Sequence, residues 1–106
     1  LTKSAEKHAL DMIKRDFFDH TNPDGTTPTE RIKMEGYPNV PPCGCSRQTY
    51  YGENIARGQK TPEEAMNDWM ASPGHKANIL SKNFKEIGIA FDRNVWVQNF
   101  GGVWER

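Results

Sequence analysis

The sequence predicts an α+β fold, an α/β/α sandwich in which a small antiparallel sheet lies between helices. Three observations support this prediction. Amphipathic or capped helical segments recur before residue 81, and residues 87–100 have the alternating pattern of a β-hairpin. The second hairpin strand is apolar on both faces, which is typical of a strand covered by helices on both sides. A chain of 106 residues supports one core, so we expect a single domain over residues 1–106.

The first predicted helix runs from Ser4 to Phe18. Its apolar residues recur at every fourth position: Ala5, Ala9, Ile13 and Phe17. This spacing places them on one helix face. The turn dipeptides Asn-Pro and Asp-Gly follow, so we expect His20 at or just past the end of the helix.

Three further helices are predicted from capping signals. Thr27-Pro28-Thr29-Glu30 and Thr61-Pro62-Glu63-Glu64 each combine an N-cap threonine, a first-turn proline and the glutamate of a capping box. The helix that starts at Thr27 should stop near Gly36. A last helix is predicted from about Pro73 to Leu80, with Ser72 as its N-cap.

The remaining segments predict strands and one long loop. Residues 50–56 read as a short strand, and residues 87–91 and 95–100 form the hairpin around a turn at residues 92–94. The loop at residues 37–46 contains the only two cysteines, Cys43 and Cys45. A bridge between them would close a tiny loop with little entropic benefit, so free or locally paired thiols are favoured over a metal site.

Composition argues against nucleic-acid binding and against a membrane-spanning segment. Fourteen basic and fourteen acidic residues give a formal charge of zero, so the chain has no basic surface field for nucleic acid. The longest apolar runs have three residues, whereas a membrane span needs about 20. We therefore predict neither nucleic-acid binding nor a membrane span.

Two histidines and one glutamate are the candidate site residues. His20 and His75 stand at helix ends, and the first turn of a helix disfavours a charged ring at His75. Glu53 lies in an apolar segment, where a buried carboxylate must be paired or coordinated. Two histidines and a glutamate are a ligand set that zinc accepts. From spacing alone, backbone hydrogen bonds at the helix ends are the favoured alternative, and His8 is interpreted as structural or solvated.

Four segments resemble the CAP superfamily, named for cysteine-rich secretory proteins, antigen 5 and pathogenesis-related 1 proteins and also called the SCP domain. They are Phe18–Gly25, Gly52–Ala56, Trp69–Leu80 and Trp96–Gly101. The resemblance is to the short bacterial and archaeal members. It implies an α/β/α sandwich whose cavity is lined by two histidines and two glutamates and, in several relatives, holds a divalent metal. His20, Glu53 and His75 match three of these positions, and Asn54 and Ser72 are expected to line the cavity.

The chain departs from the family pattern at two places. Ser72 stands where many eukaryotic relatives have a glutamate, and we interpret it as a helix cap rather than a nucleophile. The family's usual first helix, with its Asn-x-x-Arg signature, has no counterpart before Leu1. The resemblance further implies an extracellular or cell-envelope location, although no apolar signal segment opens the chain.

Three hypotheses for function follow from these residues and the resemblance. The favoured one is a binding module whose cavity holds a divalent metal ion, zinc above others, and a small-molecule or lipid ligand, without efficient catalysis. The second is a zinc-dependent hydrolase in which His20 and His75 hold the metal and Glu53 is a further ligand or the catalytic base. The third is a pure interaction domain whose loop at residues 37–49 contacts a protein partner.

Overall fold

The computed structural model describes residues 1–105, which form helices and a three-stranded antiparallel sheet with the strand order β1-β3-β2. The elements in chain order are α1 (Thr2–Lys14), α2 (Pro28–Met34), β1 (Arg47–Arg57), α3 (Pro62–Ala71), α4 (Pro73–Leu80), β2 (Glu86–Asp92) and β3 (Val95–Glu105). This arrangement confirms the predicted α+β class.

Each face of the sheet has its own apolar core. On one face, α1 packs against alternate strand residues, and that core consists of Ala5, Ala9, Met12, Ile55, Ala90, Val95 and Val97. On the other face, α3 packs against the intervening strand residues, and that core consists of Ala56, Ala65, Trp69 and Trp96. Because successive strand residues point to opposite faces, β1 and β3 contribute to both cores. This explains why β3 is apolar on both sides.

Element boundaries differ clearly from the predictions at three places, and one of them is the end of β3, which lies at Glu105 and not at Phe100. Helix α1 ends at Lys14 and not at Phe18, because Asp16 adopts a left-handed conformation with φ 51° that cannot continue the helix. Strand β1 begins at Arg47, earlier than predicted, because it pairs along its whole length with β3. The predicted helix from Pro73 to Leu80 is confirmed.

The capping predictions hold for α2 but only partly for α4. The Thr27 hydroxyl accepts a hydrogen bond from the Glu30 amide, and the Glu30 carboxylate accepts one from the Thr27 amide. Ser72 occupies the N-cap position of α4, as predicted, but its side chain makes no capping hydrogen bond. The predicted position of Ser72 at the N-cap is therefore confirmed, whereas the predicted capping hydrogen bond from its side chain is not formed.

We expect Ser72→Ala to change the free energy of unfolding by only a few tenths of a kcal/mol, because no capping bond is lost. Thr27→Ala is the matched variant and should cost about 1 kcal/mol, since its hydroxyl does accept from a backbone amide. Urea denaturation of the two variants checks this ranking. Equal losses for both would show that Ser72 caps α4 after all.

The loop before β1 is closed by a disulfide between Cys43 and Cys45, one of the two states left open for these thiols. Within residues 1–105, no helix combines the length and the apolar character that a membrane crossing requires.

Candidate functional site

Glu53 is the centre of the site, on the face of the sheet that carries α1. Its side chain is 1% exposed and accepts four hydrogen bonds. Oε1 accepts from His20 Nδ1 at 2.9 Å and from Arg31 Nη2 at 3.1 Å. Oε2 accepts from Arg31 Nη1 at 2.7 Å and from Asn99 Nδ2 at 2.8 Å. Both carboxylate oxygens are therefore fully used within the protein.

The partners of Glu53 keep its carboxylate ionised. Burial alone would raise the pKa of Glu53, but the hydrogen bonds from His20 and Arg31 and the Arg31 charge outweigh burial and lower the pKa below its ordinary value. The prediction that Glu53 is buried and paired is thus met by an ion pair with Arg31.

Arg31 connects the three segments that build the site. The capping box starts α2 at a fixed point, and Arg31 extends from this helix toward β1. Its Nε donates to Asn22 Oδ1 at 2.7 Å, and its Nη2 also donates to the His20 carbonyl oxygen. One guanidinium therefore fixes the turn that carries His20 and the strand that carries Glu53. Arg31 was not among the residues predicted for the site, although a lone arginine in a short capped helix was visible in the sequence.

Asn99 is the second site residue that was not predicted. It lies directly opposite Glu53 in the β1–β3 register, and its amide donates to Glu53 while Ser4 donates to its Oδ1. Asn99 is fully buried. The sequence places Asn99 in the predicted strand at residues 95–100 and in one of the segments that resemble the family, but its pairing with Glu53 across the sheet cannot be read from local spacing.

His20 is the part of the site that solvent can reach. Its side chain is 45% exposed, while Nδ1 is bonded to Glu53. Because an ionised carboxylate only accepts, the proton must lie on Nδ1, and a neutral ring then has a free lone pair on Nε2. Nε2 takes part in none of the hydrogen bonds found among residues 1–105. The bond to Glu53 is the main reason that the pKa of His20 is raised.

His8 is a buried structural residue, which resolves the two roles left open for it. Its Nε2 donates to the Asp19 carbonyl at 2.9 Å, and its Nδ1 accepts from Asn22 Nδ2 at 3.3 Å. Burial is the main reason that the pKa of His8 is lowered, so the ring stays neutral. His8 therefore helps to hold the turn before His20.

His75 is anchored on the opposite side of β1 from Glu53. Its carbonyl oxygen accepts from Asn54 Nδ2 at 3.1 Å, and Asn78 of the same helix donates to Asn54 Oδ1 at 2.9 Å. Asn54 and Glu53 are successive strand residues and point to opposite faces. His75 Nδ1 is buried and has no hydrogen-bond partner within residues 1–105.

The predicted zinc set of His20, His75 and Glu53 does not fit this geometry as a three-ligand site. In the described part of the chain, the one set of three His, Cys, Asp or Glu ligand atoms within 4.8 Å of one another is Cys43, Cys45 and Glu105. Glu53 has no free lone pair, and the Arg31 charge beside it opposes a cation. What the structure shows is a partly exposed His20 ring that the Glu53 carboxylate orients through Nδ1.

A cavity of about 310 Å³ lies beside this centre, between α1 and α2. Its lining includes Ser4, Asn22 and Arg31, which belong to the hydrogen-bond network around Glu53. Asn54 and Ser72, which we expected to line a cavity, are not among its lining residues. Asn54 is fully buried in a network with Asn78 and Gln98, and Ser72 lies between α3 and α4.

The fold and the site together define a small α/β/α domain with a buried Glu53–Arg31 ion pair on one face of its sheet and a partly exposed His20 ring bonded to it. Residues 1–100 match the family described as the cysteine-rich secretory protein family, abbreviated CAP, and the chain belongs to that family. This confirms the resemblance drawn from the four sequence segments.

Two curated relatives come from Bacillus subtilis. Uncharacterized protein YkwD is 41% identical over 104 residues, which cover 96% of this chain and 37% of YkwD. Uncharacterized membrane protein YlbC is 27% identical over 97 residues, which cover 92% of this chain and 25% of YlbC. The chain therefore spans only a quarter to about a third of the curated relatives that it matches.

Two solved structures have the same fold. An extracellular protein containing an SCP domain from Bacillus anthracis superposes with a TM-score of 0.78 at 28% identity, covering 93% of this chain and 30% of that chain. An outer surface protein from Borrelia burgdorferi gives a TM-score of 0.75 at 26% identity, covering 96% of this chain and 72% of that chain.

Proposed function

We propose that this chain is the binding module of an extracellular or envelope-associated CAP protein and has no efficient catalysis of its own. One observation carries the proposal: the Glu53 carboxylate accepts four hydrogen bonds and pairs with Arg31. A general base needs a free lone pair that faces water. Glu53 has no such lone pair, which argues against the hydrolase hypothesis.

His20 is the residue that we propose for contact with a divalent cation, and zinc is the cation to test. Its Nε2 is free, and Glu53 behind it fixes the ring and the proton on Nδ1. A metal role for His75 stays a prediction: its Nδ1 is buried without a partner, but Asn54 anchors it on the opposite side of β1 from Glu53, so we do not propose it as a second ligand to the cation at His20. When bound, the cation would act as a Lewis acid toward a ligand atom.

The cavity between α1 and α2 is the proposed place for a small ligand. Its lining combines the charged groups of Lys7, Asp11, Arg31 and Glu35 with apolar surface, so a small molecule with both polar and apolar parts fits it. Extracellular location is supported by the two structural neighbours, which are named as extracellular and outer surface proteins. A protein partner at the loop of residues 37–49 stays a prediction.

Zinc titration by calorimetry tests the cation proposal. We expect His20→Ala to abolish binding and Glu53→Gln to weaken it by about tenfold, because Glu53 orients the ligating ring without touching the metal. Glu63→Gln, which removes an exposed carboxylate in the first turn of α3 on the other face of the sheet, is the matched control and should change nothing. Equal affinities for the wild type and the His20→Ala, His75→Ala double variant would contradict the proposal.

The same titration should depend on pH. Zinc competes with a proton for His20 Nε2, and the pKa of His20 is raised above its ordinary value of 6.5. Affinity should therefore begin to fall while the pH is still above 6.5 and continue to fall below it. An activity assay tests the alternative. If the protein turns over ester or peptide substrates, and if this turnover is lost in Glu53→Gln and in both His→Ala variants, the hydrolase hypothesis is favoured over the binding module.

A further inference from the structure

The Cys43–Cys45 disulfide has no evident role as a stabilising staple. The two cysteines are 2 residues apart in sequence, and the stabilisation from a cross-link falls as the closed loop becomes shorter. The bridge joins no two elements of the fold, since both cysteines belong to the loop that precedes β1. Its contribution to folding is therefore among the smallest that a disulfide can make.

The bridge is also open to solvent. Cys43 is exposed and Cys45 is half-buried. Gly44 between them contributes no side chain, and a Cβ placed on it would have no atom within 4 Å. An incoming thiolate can therefore reach the bridge, and accessible disulfides are the labile ones.

The loop is held in place independently of the bridge. Arg47 Nη2 donates to the Pro41 carbonyl oxygen at 2.7 Å and to Glu105 Oε1 at 2.8 Å. Arg47 and Glu105 are opposite each other at the end of the β1–β3 ladder. These contacts tie Pro41, which is two residues before Cys43, to the first residue of β1, so the segment that carries both cysteines is closed without the bridge and two reduced thiols stay near each other.

We propose that Cys43–Cys45 is a thiol–disulfide exchange site that takes two electrons from a dithiol. A substrate thiolate attacks the more exposed Cys43 Sγ, a new S–S bond forms, and the bond to Cys45 breaks. Cys45 Sγ leaves with the electron pair and takes up a proton. The second substrate thiolate then attacks the substrate sulfur of the mixed disulfide, the bond from that sulfur to Cys43 breaks, and Cys43 Sγ leaves with the electron pair and takes up a proton. The substrate leaves as a disulfide and both cysteines are left as thiols.

The experiment reacts the oxidised chain with dithiothreitol, stops the reaction with acid, alkylates the thiols and counts the added groups by mass spectrometry. We expect two added groups, formed at least about tenfold faster than dithiothreitol reduces oxidised glutathione. Added oxidised glutathione should restore the bridge. The Cys43→Ser, Cys45→Ser double variant has no thiols and is the control for nonspecific alkylation, so it should gain no alkyl groups.

Thermal unfolding of the reduced, alkylated protein provides the second readout. We expect its transition to remain cooperative and to lie within a few degrees of that of the oxidised protein, as in the double serine variant. Reduction slower than that of oxidised glutathione would overturn the proposal. So would loss of the cooperative transition on reduction, which would show that the bridge is structural.

Discussion

Arg31→Leu should lower the free energy of unfolding by about 3–5 kcal/mol, because it leaves the buried Glu53 carboxylate without its countercharge. The change removes both hydrogen bonds from the guanidinium to Glu53. It also removes the donors to Asn22 and to the His20 carbonyl, so the turn that carries His20 should loosen. Urea denaturation at neutral pH measures the loss.

The double variant Arg31→Leu, Glu53→Gln is the control for this interpretation. If the cost comes from an unpaired charge, removing that charge should recover part of the lost stability. A loss below about 1 kcal/mol for Arg31→Leu would place this pair with ordinary surface ion pairs and contradict its role as the centre of the site.

The stability of the wild type and that of Arg31→Leu should also depend differently on pH. The folded-state pKa of Glu53 is depressed, so its contribution to wild-type stability is present above its unfolded value of about 4.5 and is lost as the pH falls through the folded pKa. In Arg31→Leu the carboxyl should take up a proton more readily. The stability difference between the two proteins should therefore narrow on acidification.

Trp69→Ala should cost about 3–5 kcal/mol, the range for removing a buried tryptophan. Trp69 is 3% exposed and packs with Ala56 and Trp96 in the core beneath α3. Its Nε1 donates to the Ile55 carbonyl oxygen at 3.1 Å. The Ser72 amide donates to the backbone carbonyl of residue 69, a bond that the alanine variant keeps, so the expected loss comes from the side chain alone.

Trp69→Phe separates packing from hydrogen bonding. It keeps much of the ring volume and loses the bond to the Ile55 carbonyl, so we expect a smaller loss of about 1–3 kcal/mol. Thermal unfolding of the two variants gives the ranking. Equal losses would show that the hydrogen bond, and not the apolar volume, holds α3 on the sheet.

Local signals predicted the helix starts because the determining contacts are local. The Thr27 capping box involves residues three apart, and Pro73 begins α4 where it was expected. The end of α1 could not be predicted, since Phe17 continues the apolar spacing while the backbone turns at Asp16. The first residues of β1 are polar, and only their pairing with the end of β3 makes them a strand.

The site was predicted in part for the same reason. An apolar setting predicted that Glu53 is buried and paired, but its partners Arg31 and Asn99 are 22 and 46 residues away. Their contacts depend on the strand register and on how α2 packs. The resemblance placed His20 and His75 in one cavity, whereas the structure anchors them through neighbouring strand residues that point to opposite faces.

Glu53 holds the His20 ring with its proton on Nδ1 and leaves Nε2 free, and the proposed role of His20 depends on this arrangement. Nitrogen-15 NMR of the histidine rings, recorded at alkaline pH where His20 is neutral, tests it most directly. We expect Nδ1 of His20 to carry the proton in the wild type and this preference to weaken in Glu53→Gln. A wild-type ring with its proton mainly on Nε2 would contradict this arrangement.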